Sequence, residues 1–243
     1  MSNLIDRGVR AYRRHGWRNL PFLLAYNVWF IAKTRVPPRL RMRLRKPSFD
    51  DRHGTDTGGV LPVSDFEVAA ERVLGANYYE GVSEELFGKI IKALGGGDPR
   101  ATFIDFGSGK GRQLLLASEY PFRRVLGVEL EPNLHRVALR NIEIYRTDTQ
   151  KCRDVASIRA DATELELPPD PLVCSFYNPF DQRILRNVVT NIERSLREKP
   201  REAQVIYLNP VHREVFDESP GWQLNGVSIF SGYVLYRWTG ASP

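Results

Sequence analysis

The run Asp105-Phe106-Gly107-Ser108-Gly109-Lys110-Gly111-Arg112 sets an acid two residues ahead of three glycines at alternate positions. Glycines there let the backbone turn tightly and let a ligand approach without meeting a Cβ atom. The run is not a phosphate-binding P-loop, because Lys110 is followed by Gly111 rather than Ser or Thr and the first glycine of that motif is missing. Nor is it the dinucleotide pattern G-x-G-x-x-G, since its spacing is G-x-G-x-G. Asp105 would meet a diphosphate with like charge and suits a cationic amine instead. Glu129 lies 22 residues after Gly107, with Leu130 behind it. An acid about 20 residues beyond the glycines accepts hydrogen bonds from ribose hydroxyls. Asp161 and Ala162 stand where they would meet an adenine edge. The three positions describe a ligand with an amino-acid end, a sugar and a purine.

These residues need strand ends to hold them, and the hydrophobic periodicity supplies them. Ser83 to Leu94 has Leu86, Ile90, Ile91 and Leu94 at helical spacing, with Ser83 as its cap and Gly95-Gly96-Gly97 as its stop. Thr102–Phe106, Arg124–Leu130, Ala156–Arg159, Leu172–Tyr177 and Ala203–Leu208 read as strands. Helices are predicted at Arg112–Glu119, Asn133–Tyr145 and Arg183–Arg197. Such alternation predicts a parallel sheet with helices on both faces. Trp222–Leu224 and Gly232–Trp238 read as two closing strands without a long helix between them, an antiparallel addition at one edge.

On these residues the sequence resembles the class I, seven-β-strand methyltransferases that use S-adenosylmethionine. Asp105, Gly107, Gly109 and Gly111 match that family's E/D-x-G-x-G-x-G, with Ser108 inside it. Glu129 matches its ribose acid and Asp161 its adenine-side acid. The resemblance covers residues 78–238 and implies a Rossmann-like, mostly parallel seven-stranded α/β sheet. It also implies S-adenosylmethionine as the cofactor. Asn178-Pro179-Phe180, at the end of the fourth strand, looks like a shortened Asn-Pro-Pro-Tyr/Phe motif of amine- and amide-directed members, with one proline missing. The family resemblance gives Asn178 the role of accepting hydrogen bonds from the target nitrogen and Phe180 that of packing on the substrate. The stretch from Tyr79 to Leu94, with the glycine run, is similar to DOT1-like lysine methyltransferases. There an aromatic residue borders the cofactor, which makes Tyr79 a candidate. Those enzymes differ after the fourth strand, so their substrate does not transfer.

The expected function is therefore methyl transfer, N-directed onto a protein lysine or another amine. The alternatives are a small-metabolite O- or N-methyltransferase, a nucleic-acid methyltransferase, and a non-enzymatic module that only binds the cofactor. His53, Asp56, Glu80 and His212 are candidate bases by position. Cys174 reads as a small core residue.

Composition frames the rest. The chain has 243 residues, two cysteines and four scattered histidines, which argues against a disulfide framework and against a metal site. Of 35 Lys/Arg and 29 Asp/Glu, residues 1–46 hold twelve and one, a net +11; the other 23 basic and 28 acidic residues give a net −5. Residues 1–60 read as a basic helical arm with its connecting loop, Asp50–Leu61, and residues 61–243 as the methyltransferase domain. The arm calls for an anionic partner, a membrane surface or nucleic acid, through residues 7–46. Its apolar run Leu20–Ala32 is thirteen residues long, short of the ~20 that span a bilayer. The expected location is cytoplasmic or peripheral to a membrane.

Overall fold

Thr102–Phe106 is buried at every position, as a central parallel strand covered on both faces must be. It is β1 of a seven-stranded sheet in a computed structural model that describes residues 48–58, 82–228 and 231–240. The other strands are β2 (Arg124–Glu129), β3 (Val155–Arg159), β4 (Leu172–Tyr177), β5 (Ala203–Leu208), β6 (Trp222–Ser228) and β7 (Tyr233–Trp238). The helices are α1 (Phe49–His53), α2 (Glu84–Ala93), α3 (Arg112–Ala117), α4 (Pro132–Ile144), α5 (Gln182–Glu198) and α6 (Glu214–Asp217). The sheet order is β3-β2-β1-β4-β5-β7-β6. Strands β1 to β5 pair in parallel, and β7 runs antiparallel to both β5 and β6. The expected mostly parallel, Rossmann-like sheet with an antiparallel edge is what the chain forms. Strand β7 lies between β5 and β6, and the short return from β6 makes that pair antiparallel.

Alternate strand residues feed two cores. Phe103, Val125, Val173 and Ile206 pack with Phe87, Ile90 and Ile91 of α2 and Leu114 to Ala117 of α3. Ile104, Leu126, Cys174, Val205 and Tyr207 pack with Leu185, Val188, Ile192 and Leu196 of α5 and Phe216 of α6. Cys174 is fully buried, and burial pushes its thiol up to about 12, so it remains an uncharged core residue. Capping sets the helix starts. Ser83 Oγ accepts from Leu86 N, and Asp181, directly after Phe180, accepts from Ile184 N at 2.8 Å. Pro132 opens α4 behind the Glu131 cap.

The chain steps outward from β1 to β3, then crosses back to place β4 on the other side of β1. That switch point is where ligands enter open α/β sheets, beyond the carboxyl ends of the strands. The turn-rich sequence predicts a connecting loop over residues 50–61; residues 49–53 instead form α1, and Phe49 is buried in a core. Asp50 and the threonines after it form a local hydrogen-bonded knot that the turn-rich composition does not reveal. The basic arm and Tyr79, Glu80 and Gly59 to Leu61 lie outside the described residues. Among the described residues no helix is long and apolar enough to cross a membrane.

Candidate cofactor and acceptor site

Strand β1 delivers Asp105 near its carboxyl end and then turns at Gly107, whose φ is +76°. The turn folds back on β2: Gly107 N and Ser108 N both donate to Val128 O, at 2.9 and 3.1 Å. Gly109 N donates to Glu129 Oε2 at 2.8 Å, and Gly111 N to Ser108 O at 2.8 Å. A phosphate-binding turn aims its N–H groups at the ligand. Here the amides of all three glycines and of Ser108 are spent inside the protein. The turn is no anion nest, in keeping with the acid that precedes it. Gly127 makes this approach possible, since a Cβ there would stand 2.7 Å from Ser108 Oγ and 2.6 Å from Leu114 Cδ1. The Ser108 hydroxyl accordingly faces β2.

Two buried carboxylates bracket the turn. Asp105 is 2% exposed and Glu129 7%. Gln113 Nε2 donates to Asp105 Oδ1 at 3.0 Å, and Ser175 Oγ donates to Gln113 Oε1 at 2.8 Å, which fixes the Gln113 amide so that its NH₂ meets the acid. Burial, with the charge of Glu129 adding to it, holds the Asp105 carboxyl well above its ordinary range. Burial also raises Glu129, and the charge of Glu131 adds to this; hydrogen bonds from Glu131 N and Gly109 N act the other way without overcoming it. Both acids thus sit above their unfolded values. Their contribution to stability is fully present below the ordinary carboxylate range and is lost as pH rises through the raised values. A cation beside Asp105 would reverse that cost for its carboxyl. Asp105 fits an ammonium group, and the two acids together reject a diphosphate.

The remaining positions fall at neighbouring strand ends. Asp161 follows β3, and its Oδ1 accepts from Thr163 N at 2.9 Å and Thr163 Oγ1 at 2.7 Å. That local turn fixes the loop in which Ala162 enters the core. Asn178-Pro179-Phe180 leaves β4 beside the turn. A Cβ on Gly107 would stand 2.4 Å from Pro179 Cβ, so the glycine turn and the Asn178-Pro179-Phe180 run are in direct contact. Phe180 packs partly buried against the core. Asn178 has φ +44°, and Asn209, at the end of β5, has φ +46°. Asparagine tolerates this left-handed region better than most residues.

Tyr207, from β5, anchors Asn178. Its hydroxyl accepts from His212 N at 3.2 Å and donates to Asn178 Oδ1 at 3.4 Å. A phenol has one proton to give, so Asn178 presents oxygen to Tyr207.

The candidate bases separate. His53 packs against the rings of Phe49 and Tyr145, and Asp56 pairs with Lys110 Nζ at 2.7 Å. His212 joins the β4–β5 end through its own backbone, with its ring near Glu214 Oε1 at 3.5 Å. Gln113, Gly127, Ser175 and Tyr207 were not singled out from the sequence. Each lies in a strand or helix whose pattern reads as ordinary packing.

No protein-family model matches this chain, and a comparison with curated proteins finds no match. Solved structures of similar shape exist. An RNA methyltransferase from Salinibacter ruber in complex with S-adenosyl-L-homocysteine is 18% identical, with 65% of this chain and 91% of that one covered, at a TM-score of 0.44. A magnesium protoporphyrin IX methyltransferase from Synechocystis PCC 6803 with bound S-adenosylmethionine is 10% identical, covering 63% and 77%, at 0.43. A dimethyladenosine transferase from Plasmodium falciparum is 11% identical, covering 64% and 61%, at 0.47.

Proposed function

We propose that the protein is an S-adenosylmethionine-dependent methyltransferase acting on nitrogen, with a protein lysine or another amine as acceptor. The observation that carries this reading is the contact between Gly107 and Pro179, which sets a buried anionic cradle directly beside Asn178. The cradle selects a ligand whose amino-acid end is cationic. Glu129 suits a sugar diol, and the Asp161-Ala162 loop suits a purine edge. When bound, the cofactor supplies an electrophilic methyl group.

The chain's own residues supply position, worth about 7–11 kcal/mol of a barrier when geometry is well held. Asp105 and Glu129 fix the nucleoside. Asn178 accepts a hydrogen bond from the acceptor N–H through its side-chain oxygen, and so points the nitrogen lone pair toward the methyl. Phe180 and Pro179 pack beside it. An attacking amine must be neutral, and Asn178 orients it without acting as a base.

The basic residues 7–46 suit docking on an anionic partner, a membrane surface or nucleic acid. An expected result follows for a cell extract incubated with cofactor labelled on its methyl group and split into protein, nucleic-acid, lipid and metabolite fractions. Label should enter amine nitrogen, of protein or of a small amine. Label on oxygen, or label confined to the nucleic-acid fraction, would overturn the acceptor assignment. Label in no fraction would favour a module that binds the cofactor without transferring its methyl group.

A further inference from the structure

The glycine turn is gripped from outside the sheet by residues 49–58. Arg112, on one side of Gly111, has its guanidinium 4.3 Å from the Phe49 ring centroid and 3.7 Å from Asp50 Oδ2. Lys110, on the other side, reaches Asp56 Oδ1 at 2.7 Å and Gly58 O at 3.1 Å, with its side chain 11% exposed. Asp50 keeps the segment in shape. Its Oδ1 accepts from Thr55 Oγ1 at 2.7 Å, Thr57 N at 2.9 Å and Thr57 Oγ1 at 2.6 Å.

Asn141 joins the two parts. It is 1% exposed, within α4. Its Oδ1 accepts from Asp56 N at 2.8 Å, while its Nδ2 donates to Asp56 O at 2.8 Å and to Lys110 O at 2.9 Å. One turn earlier, Ala138 lies against Gly111, where an added Cβ would be 3.3 Å from Ala138 Cβ. The α4 face is therefore small where the turn presses on it and polar where the turn's carbonyl needs a donor. A buried amide inside a helix is costly unless its bonds are made, and a leucine would fill the space more simply. Three of its four bonds are made here, and all three go to the segment or the turn.

We propose that residues 49–58 form a clasp belonging to the cofactor site, with Asn141 and Asp50 as positioning residues that set cofactor affinity through Lys110 and Arg112. This rests on the reading of the glycine turn as the S-adenosylmethionine cradle. The clasp touches no part of that cradle's inner surface through Asn141 or Asp50; it fixes the backbone whose shape aligns Gly109 with Glu129.

The test uses the full-length chain and three variants. Asn141→Asp keeps size and the acceptor but loses both donors and sets a carboxylate against two carbonyls. Asp50→Asn keeps size and weakens the hold on Arg112. Trp222→Phe, in β6 at the far edge of the sheet, removes the indole hydrogen bond to Glu193 of α5 and serves as the stability control. Dissociation constants for S-adenosylmethionine and S-adenosylhomocysteine are measured by calorimetry well below each melting temperature, beside the melting temperatures themselves.

Asn141→Asp should weaken both ligands about 10–100-fold and Asp50→Asn about 3–10-fold, the range expected for disturbing one or two hydrogen bonds to charged or buried groups. Trp222→Phe should lower the melting temperature without changing either constant. Unchanged affinity in both clasp variants, whatever their melting temperatures, overturns the inference. If Asn141→Asp fails to fold, Asp50→Asn decides by the same measurement. A wild-type chain that binds neither nucleoside overturns the cradle reading and the clasp with it, whereas wild-type binding with unaffected variants overturns the clasp alone.

Discussion

Gly107→Ala is expected to abolish cofactor binding and to lower the melting temperature. Two costs add at this position. The backbone has φ +76°, where an L-residue costs about 1–2 kcal/mol. The new methyl would also sit 2.4 Å from Pro179 Cβ, an overlap that packed structure absorbs only by moving, at about 1–3 kcal/mol. Relief requires the turn to separate from the β4 end, which pulls the cradle away from Asn178. Gly96→Ala isolates the first cost, because Gly96 has φ +93° with nothing within 4 Å of an added Cβ. The Gly96 variant should lose only the backbone share of stability and bind the cofactor normally. Equal behaviour of the two variants would remove the contact from the account.

Asn178→Gly is expected to lower the methyl-transfer rate about 100–1000-fold while cofactor affinity changes less than about fivefold, the split that marks loss of an interaction made mainly at the reacting centre. Glycine is the informative replacement because Asn178 has φ +44°. Alanine would mix backbone strain with loss of the carboxamide, whereas glycine removes the side chain and keeps the backbone relaxed. Tyr207 then loses its acceptor, but its bond from His212 N persists. Single-turnover rates and calorimetry on the same preparation separate the two effects. Full activity in Asn178→Gly would end the N-directed reading, though not the cofactor assignment.

The parts of the site visible in the sequence are those where chemistry demands a residue type at a fixed distance from a strand end. Asp105, the three glycines and Glu129 announce themselves because the strand before them is short and apolar and the spacing to the next acid is set by one βαβ unit. The structure places all of them at adjacent strand ends. Tyr207 was hidden because a tyrosine inside Ala203–Leu208 reads as core, which it also is. Gly127 reads as one small residue in a strand, and only the approach of Ser108 and Leu114 explains it. The clasp was hidden for a different reason. Asp56 and Asn141 are 85 residues apart, and nothing local to Asp50–Gly58 distinguishes a bound segment from a connector. Local periodicity carries element identity; it carries no record of which distant carbonyl an amide will meet.

The most direct test of the central claim is calorimetric titration of the full-length protein with S-adenosylhomocysteine in two buffers of different ionisation enthalpy. The pH should lie between the ordinary carboxylate range and the raised values of Asp105 and Glu129. One-site binding should appear with proton release, because the ligand's ammonium draws the Asp105 carboxyl back toward its ordinary range, and affinity should fall as pH is lowered through that window. No heat with this nucleoside, together with binding of a nicotinamide or flavin compound, would contradict the account.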